Sequence, residues 1–162
     1  MRLLKWIGIG MAVLAALTLL AGQLGFFEGT SPDDLGVRDG RLKRPSETPN
    51  SVSSQVRLWP DHPQREYADI APLALRGDGP TTIAKLKQLV QVQTGARIAE
   101  SRADYLYVQY TSRWLRFVDD LELWFDPATG VIQVRSSSRL GRSDFGVNRQ
   151  RVEALRARLA VF

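Results

Sequence analysis

The densest polar segment of the chain is Arg135-Ser-Ser-Ser-Arg139-Leu-Gly141-Arg142-Ser143-Asp144-Phe-Gly146-Val-Asn148-Arg149. Its side chains suit anion recognition. Guanidinium groups make charge-assisted, often paired hydrogen bonds to carboxylate or phosphate. A helix starting here would aim its free N–H groups the same way. The candidate ligand-binding residues are therefore Arg135, Ser138, Arg139, Asp144, Asn148 and Arg149, with Arg139 and Arg149 as the anion-binding pair. A structural assignment competes with this one. In it the segment is a strand-turn-helix corner locked by hydrogen bonds, with Asp144 capping and Asn148 and Arg149 tied to Asp119 or Asp120.

Asp119 is the one candidate catalytic residue, as general base of a hydrolase or transferase. Alternation places it with Phe117, Leu121, Leu123 and Phe125 on one strand face. On an apolar face burial raises a carboxylate's pKa and makes it a better base. Asp119 and Asp120 cannot act as a facing dyad, because neighbours on a strand point to opposite sides. Pairing the last two strands by their apolar residues sets Asp119 opposite Ser138, or Ser136 if the register slips by two, and Arg135 opposite Glu122 or Asp120 on the outer face.

Other chemistries are excluded or disfavoured. There is no cysteine, hence no disulfide, no Cys-based zinc site and no thiol nucleophile. His62 is the single histidine, within Trp59-Pro60-Asp61-His62-Pro63, and reads as an exposed loop residue. Carboxylates at EF-hand spacing are missing, so neither a metal nor another cofactor is expected. The net charge is +5, but no basic stripe is interleaved with stacking aromatics, so nucleic acid is not an expected partner.

These residues must be positioned by a folded unit, and that unit is tethered. From Trp6 to Phe27 the chain carries no charge, which is the length a helix needs to cross a bilayer. Residues 1–27 are expected to form a transmembrane anchor in the lipid bilayer. A cleaved signal peptide would show a shorter apolar run and a small-x-small site. A lipoprotein signal would carry Cys after Leu20-Ala21-Gly22, where this chain has Gln23. Arg2 and Lys5 precede the run, so the N-terminus is expected in the cytoplasm and the domain on the extracytoplasmic side of a single-pass inner-membrane protein.

Residues 28–55, rich in Gly, Pro, Ser and Asp, read as a linker and extended lead-in to an α+β domain over 56–162. Asp78-Gly79-Pro80 starts a helix, with Ile83, Leu86, Leu89, Val90 and Gln93 at helical spacing and Gly95 as its stop. Strands are predicted over Ala96–Ser101, Tyr105–Thr111, Phe117–Phe125 and Val131–Arg139, the last two joined by the hairpin loop Asp126–Gly130. A closing helix, capped by Ser143 or Asp144, should bury Val147, Val152, Leu155 and Leu159 and pair Arg149 with Glu153. The expected fold is a two-layer α+β domain: an antiparallel meander with two helices on one face.

The segments Pro49-Asn50-Ser51-Val52-Ser53-Ser54, Phe117-Val118-Asp119-Asp120-Leu121-Glu122 and Arg135 through Arg151 resemble a bacterial and plastid family, the domain of unknown function DUF1499. The resemblance runs from about Gly40 to the C-terminus. It implies a lead-in motif of the form Cys-Pro-x-Ser-Pro-Asn-Cys, and here Pro45-Ser46-Glu47-Thr48-Pro49-Asn50-Ser51 fills both cysteine positions with other residues. The resemblance implies no activity. The expected function is a membrane-tethered, non-enzymatic module binding an envelope protein or an anionic small molecule. A hydrolase or transferase using Asp119 and a purely structural envelope scaffold are the alternatives.

Overall fold

A computed structural model describes residues 2–162. Helix α1, Arg2–Gln23, is long and apolar enough to cross a bilayer, and only Gly22 of it is buried against the rest of the chain. It ends in a Schellman motif. Phe26 N donates to Ala21 O, Gly25 N donates to Gly22 O, and Gly25 takes φ +84°. The chain thus leaves the helix at Gln23, although the charge-free run continues to Phe27.

Five strands form one antiparallel sheet in the order β1-β5-β4-β3-β2. They are β1 Ser51–Ser53, β2 Ala96–Ser101, β3 Tyr105–Thr111, β4 Val118–Asp126 and β5 Val131–Ser138. β2 to β5 are the predicted meander. The predicted register holds as well: Asp119 lies opposite Ser138 and Glu122 opposite Arg135. β1, within the expected lead-in, pairs with β5 at the edge of the sheet. Beyond it Leu73 and Ile132 exchange two backbone hydrogen bonds.

Helices α3, Gly79–Gln91, and α4, Val147–Ala160, lie on the same face, after the single-turn α2, Arg65–Ala68. Asp78 Oδ1 accepts from Thr81 N at 2.7 Å and fixes the start of α3. Ile83, Leu86 and Val90 of α3, and Val152, Leu155 and Leu159 of α4, close over Leu106, Val108, Leu121, Leu123, Ile132 and Val134. Gly79 lets the first turn of α3 sit directly on Phe125; a Cβ there would stand 2.2 Å from that ring. Two expectations for α4 need correction. Val147 is exposed rather than core, and Glu153 pairs with Arg156 at 2.9 Å rather than with Arg149.

The opposite face of the sheet is covered too, and this changes the reading of its polar residues. An irregular arm spanning Glu28 to Asn50 crosses it, packing Leu42, Leu35 and Val37 against Tyr105, Tyr107 and Trp124. The Glu122–Arg135 pair, expected at the outer surface, lies beneath this arm with Glu122 fully buried. His62 also differs from expectation. It is buried, its Nε2 lies 3.1 Å from Pro45 O, and its Nδ1 accepts from Gln64 N. At Ser51, one position where the resemblance implies cysteine, the hydroxyl accepts from Ser46 N at 2.8 Å.

Candidate functional site

The polar segment from Arg135 to Arg149 is continuous in sequence but divided in space. Alternation along β5 sends Arg135 and Arg139 to the arm-covered face and Ser136 and Ser138 to the helix face. Arg139 grips Asp120 with Nε and Nη2, at 2.9 and 2.8 Å, and Nη2 also reaches the Tyr107 hydroxyl. The Asp120 carboxylate beside it raises the Arg139 pKa, more than burial lowers it. Arg135 pairs with Glu122 at 3.3 Å, and Glu122 also accepts from the Tyr105 hydroxyl and Gly36 N. Both guanidiniums therefore lock the arm-covered face.

Asn148 and Ser138 organise the helix face. Asn148 Oδ1 accepts from Ser136 Oγ at 2.6 Å, while its Nδ2 donates to Ser138 Oγ and Asn50 O. Asp144 caps α4 from outside, accepting from Asn148 N at 2.9 Å, from Gly146 N and from the Tyr67 hydroxyl. Burial pushes the Asp144 pKa up, but these donors outweigh it and hold the carboxyl below its ordinary value. Arg149 turns away from the corner and donates to Tyr67 O and Asp69 O at 2.7 and 2.8 Å. Arg139 and Arg149 are thus not brought together. Each is committed to its own partners, on different surfaces.

Asp119 lies on the helix face, and its partner is a residue outside the sequence-derived set. Arg151 Nη2 donates to Asp119 Oδ2 at 2.6 Å, and Arg151 Nη1 donates to Asn148 Oδ1 and Ser136 Oγ. The guanidinium lies over the Tyr110 ring, 4.4 Å from its centroid. Burial pushes the Tyr110 hydroxyl up to about 12, against the opposing pull of Arg151 and Arg158. Helical spacing was the available signal: Arg151 sits three residues after Asn148, on the same side of α4.

Asp119 is paired but not sealed. It forms part of the floor where two neighbouring grooves meet, and both grooves share Ser112, Phe117 and Val147. One, of about 610 Å³, runs along Leu140 to Phe145 and is mostly apolar. The other, of about 580 Å³, carries Arg113, Arg116 and Arg151. Arg116 and Phe145 hold left-handed φ of +60° and +52°. Non-glycine residues adopt this region at a cost, and such residues gather at functional sites. Of the other expected site residues, Ser138 and Asp144 line the apolar groove. Arg135 and Arg139 line a separate hollow beside the arm, and Arg149 a third beside Asp69.

The arrangement offers a mostly apolar surface groove meeting one that carries three arginines, with the Asp119–Arg151 ion pair at the junction. No group of carboxylate or imidazole ligands that could hold a metal occurs among the described residues. A family model described as protein of unknown function (DUF1499) matches residues 41–159. No curated protein and no solved structure matches the chain.

Proposed function

We propose that this chain, which belongs to the DUF1499 family of proteins of unknown function, is a membrane-anchored, non-enzymatic binding module. Its ligand is an anionic amphiphile. The observation that carries the proposal is the junction of an apolar and a basic groove at Phe117, Asp119 and Val147. The apolar part of the ligand lies along Leu140 and Phe145, and its anionic end meets Arg113, Arg116 and Arg151. Pockets of this size, apolar with a few convergent charges, suit small-molecule binding. This keeps the anion site at the strand-turn-helix corner, but carried by different arginines from Arg139 and Arg149. We read α1 as the anchor, its length and apolar character supporting this, and the basic flank Arg2 and Lys5 supports an extracytoplasmic domain.

Octyl phosphate, titrated calorimetrically into full-length protein in nanodiscs against empty nanodiscs, tests the reading. Saturable binding is expected, with inorganic phosphate and octanol each binding at least tenfold more weakly. Val147→Asp puts a carboxylate at the junction and should abolish binding; at the first position of α4 that carboxylate does not oppose the helix dipole. Binding that survives Val147→Asp, or equal affinity for inorganic phosphate, would sink the proposal.

A second reading, catalysis with Asp119 as base, is favoured by one observation: the carboxylate reaches the groove floor. Its pairing with Arg151 weighs against it, since a base must first give up that ion pair. An Asp119→Asn variant separates the two readings. It ends any catalysis, but keeps a side chain of the same size at the junction and leaves Arg113 and Arg116 in place.

A further inference from the structure

The loop Ser112–Phe117 lies against the last turn of α1. Gln23 Nε2 donates to Trp114 O at 2.9 Å and to Arg113 O at 3.4 Å. A Cβ on Gly22 would stand 2.8 Å from Leu115 O. Phe27 stacks on Phe117 with ring centroids 5.3 Å apart, and Arg116 pairs with Glu28. A helix of 22 residues is used up in crossing the roughly 30 Å hydrocarbon core. Whatever touches its final turn therefore lies at the depth of the lipid headgroups.

The side chains at that depth suit it. Trp114 is 63% exposed, Phe145 89% and Phe26 73%, in a chain whose other large apolar side chains on the folded part are mostly covered. Leu140 is also exposed and packs beside Gly29, just beyond the helix exit. Arg113 and Arg142 are exposed and make no ion pair among the described residues. Arg113 lies over the Trp114 ring at 4.9 Å. Exposed aromatic rings beside unpaired arginines match the interfacial zone of a membrane with anionic lipids.

We infer that the face built from Ser112–Phe117 and Leu140–Val147 docks on the bilayer surface, with Trp114 and Phe145 in the interface and Arg113 and Arg142 on anionic headgroups. The occupant is lipid because this face is continuous with the exit of an apolar helix and is basic where headgroups are acidic. The inference rests on α1 lying in the bilayer and does not need the proposed amphiphile. The hairpin loop Asp126–Gly130 then points away from the membrane, at the far end of β4.

Because the chain has no cysteine, single labels can be placed without removing any. Full-length Leu14→Cys, Trp114→Cys, Phe145→Cys and Ala128→Cys variants are labelled with an environment-sensitive fluorophore. Each is reconstituted in nanodiscs of phosphatidylglycerol and phosphatidylcholine that carry nitroxide lipids. The expected result is that quenching at least halves the signal at 14, 114 and 145 and leaves 128 unchanged. In phosphatidylcholine alone, quenching at 114 and 145 should fall while that at 14 persists. Quenching at 14 without quenching at 114 and 145 overturns the docking and leaves the anchor standing. No quenching at 14 removes the anchor itself, and the docking with it. Labels at 114 and 145 that are shielded from water but unquenched by lipid would mean a protein occupant, such as a second copy, and would also overturn it.

Discussion

Arg151 ties Asp119 into the network that Asn148 organises on the helix face. It closes Asp119, Asn148 and Ser136 into one network with both side chains of the ion pair mostly buried. Removing Arg151 leaves the Asp119 carboxylate without its donor, while Asn148 Oδ1 keeps only Ser136 Oγ. Arg151→Met should cost about 2–4 kcal/mol, at or below the fully buried case because some solvent reaches the pair. Thermal melts of the full chain in detergent would measure it, and a loss under half a kilocalorie would show the network is dispensable. Asp144 supplies a pH dependence. Its folded pKa lies below its ordinary value of 3.8, so its share of stability is fully present above that value and is lost as pH falls through the folded pKa. Asp144→Asn should therefore lower the melting temperature at about pH 6, and the gap to the parent should narrow near about pH 3. A gap that stays constant with pH would assign the effect to capping geometry alone. The sequence made Asp144 legible through helix-cap chemistry, whereas Asn148, expected to tie the corner to Asp119 or Asp120, bonds instead to Ser136, Ser138, Asn50 and Arg151. It misled at Arg139 and Arg149, because closeness along the chain does not survive one strand alternation and one helical turn.

At the scale of elements, the meander and both helices followed from periodicity and turn residues. So did the β4–β5 register, since a slip of one residue would have turned every apolar side chain out of the core. β1 was not legible as a strand. It has three residues, Ser51, Val52 and Ser53, too few to show alternation, and it gains its place by pairing with β5. The burial of Glu122 and Arg135 was hidden for a related reason. The arm that covers them has no period, and its cover depends on isolated contacts such as Gly36 N to Glu122. Close packing of α3 on β4 gives this scale its prediction. Gly79→Ala should destabilise the domain by about 1–3 kcal/mol, because its methyl group would overlap the Phe125 ring and overpacking strains a filled core. Truncating the ring as well, with Phe125→Leu, should recover part of that loss; no recovery in the double variant would place the strain elsewhere.

Over the whole molecule, the sheet is enclosed by helices on one side and by the arm on the other. A chain beginning at Glu28 keeps the arm. One beginning at Pro49 would bare Tyr105, Tyr107 and Trp124, with the Glu122–Arg135 pair beside them. The shorter chain should bind a hydrophobic dye and aggregate while the longer one stays monomeric, as dye fluorescence and gel filtration would report. Equal behaviour of the two would mean the arm only decorates the sheet.

The edge pairing of β1 also has a bearing on time. Ser51 to Ser53 come early in the chain, yet their partners on β5 come late, and Asn50 is held by Asn148, 98 residues downstream. Synthesis delivers the first strand long before the residues that complete it. Contacts so distant in sequence form slowly, since the intervening chain must be closed into a loop first. Until β5 emerges, β1 has no partner strand, and until β3 and β4 emerge the arm has nothing to cover. The arm can close on β3 and β4 as soon as they form, but its junction with β1 at Asn50 is completed only once α4 supplies Asn148.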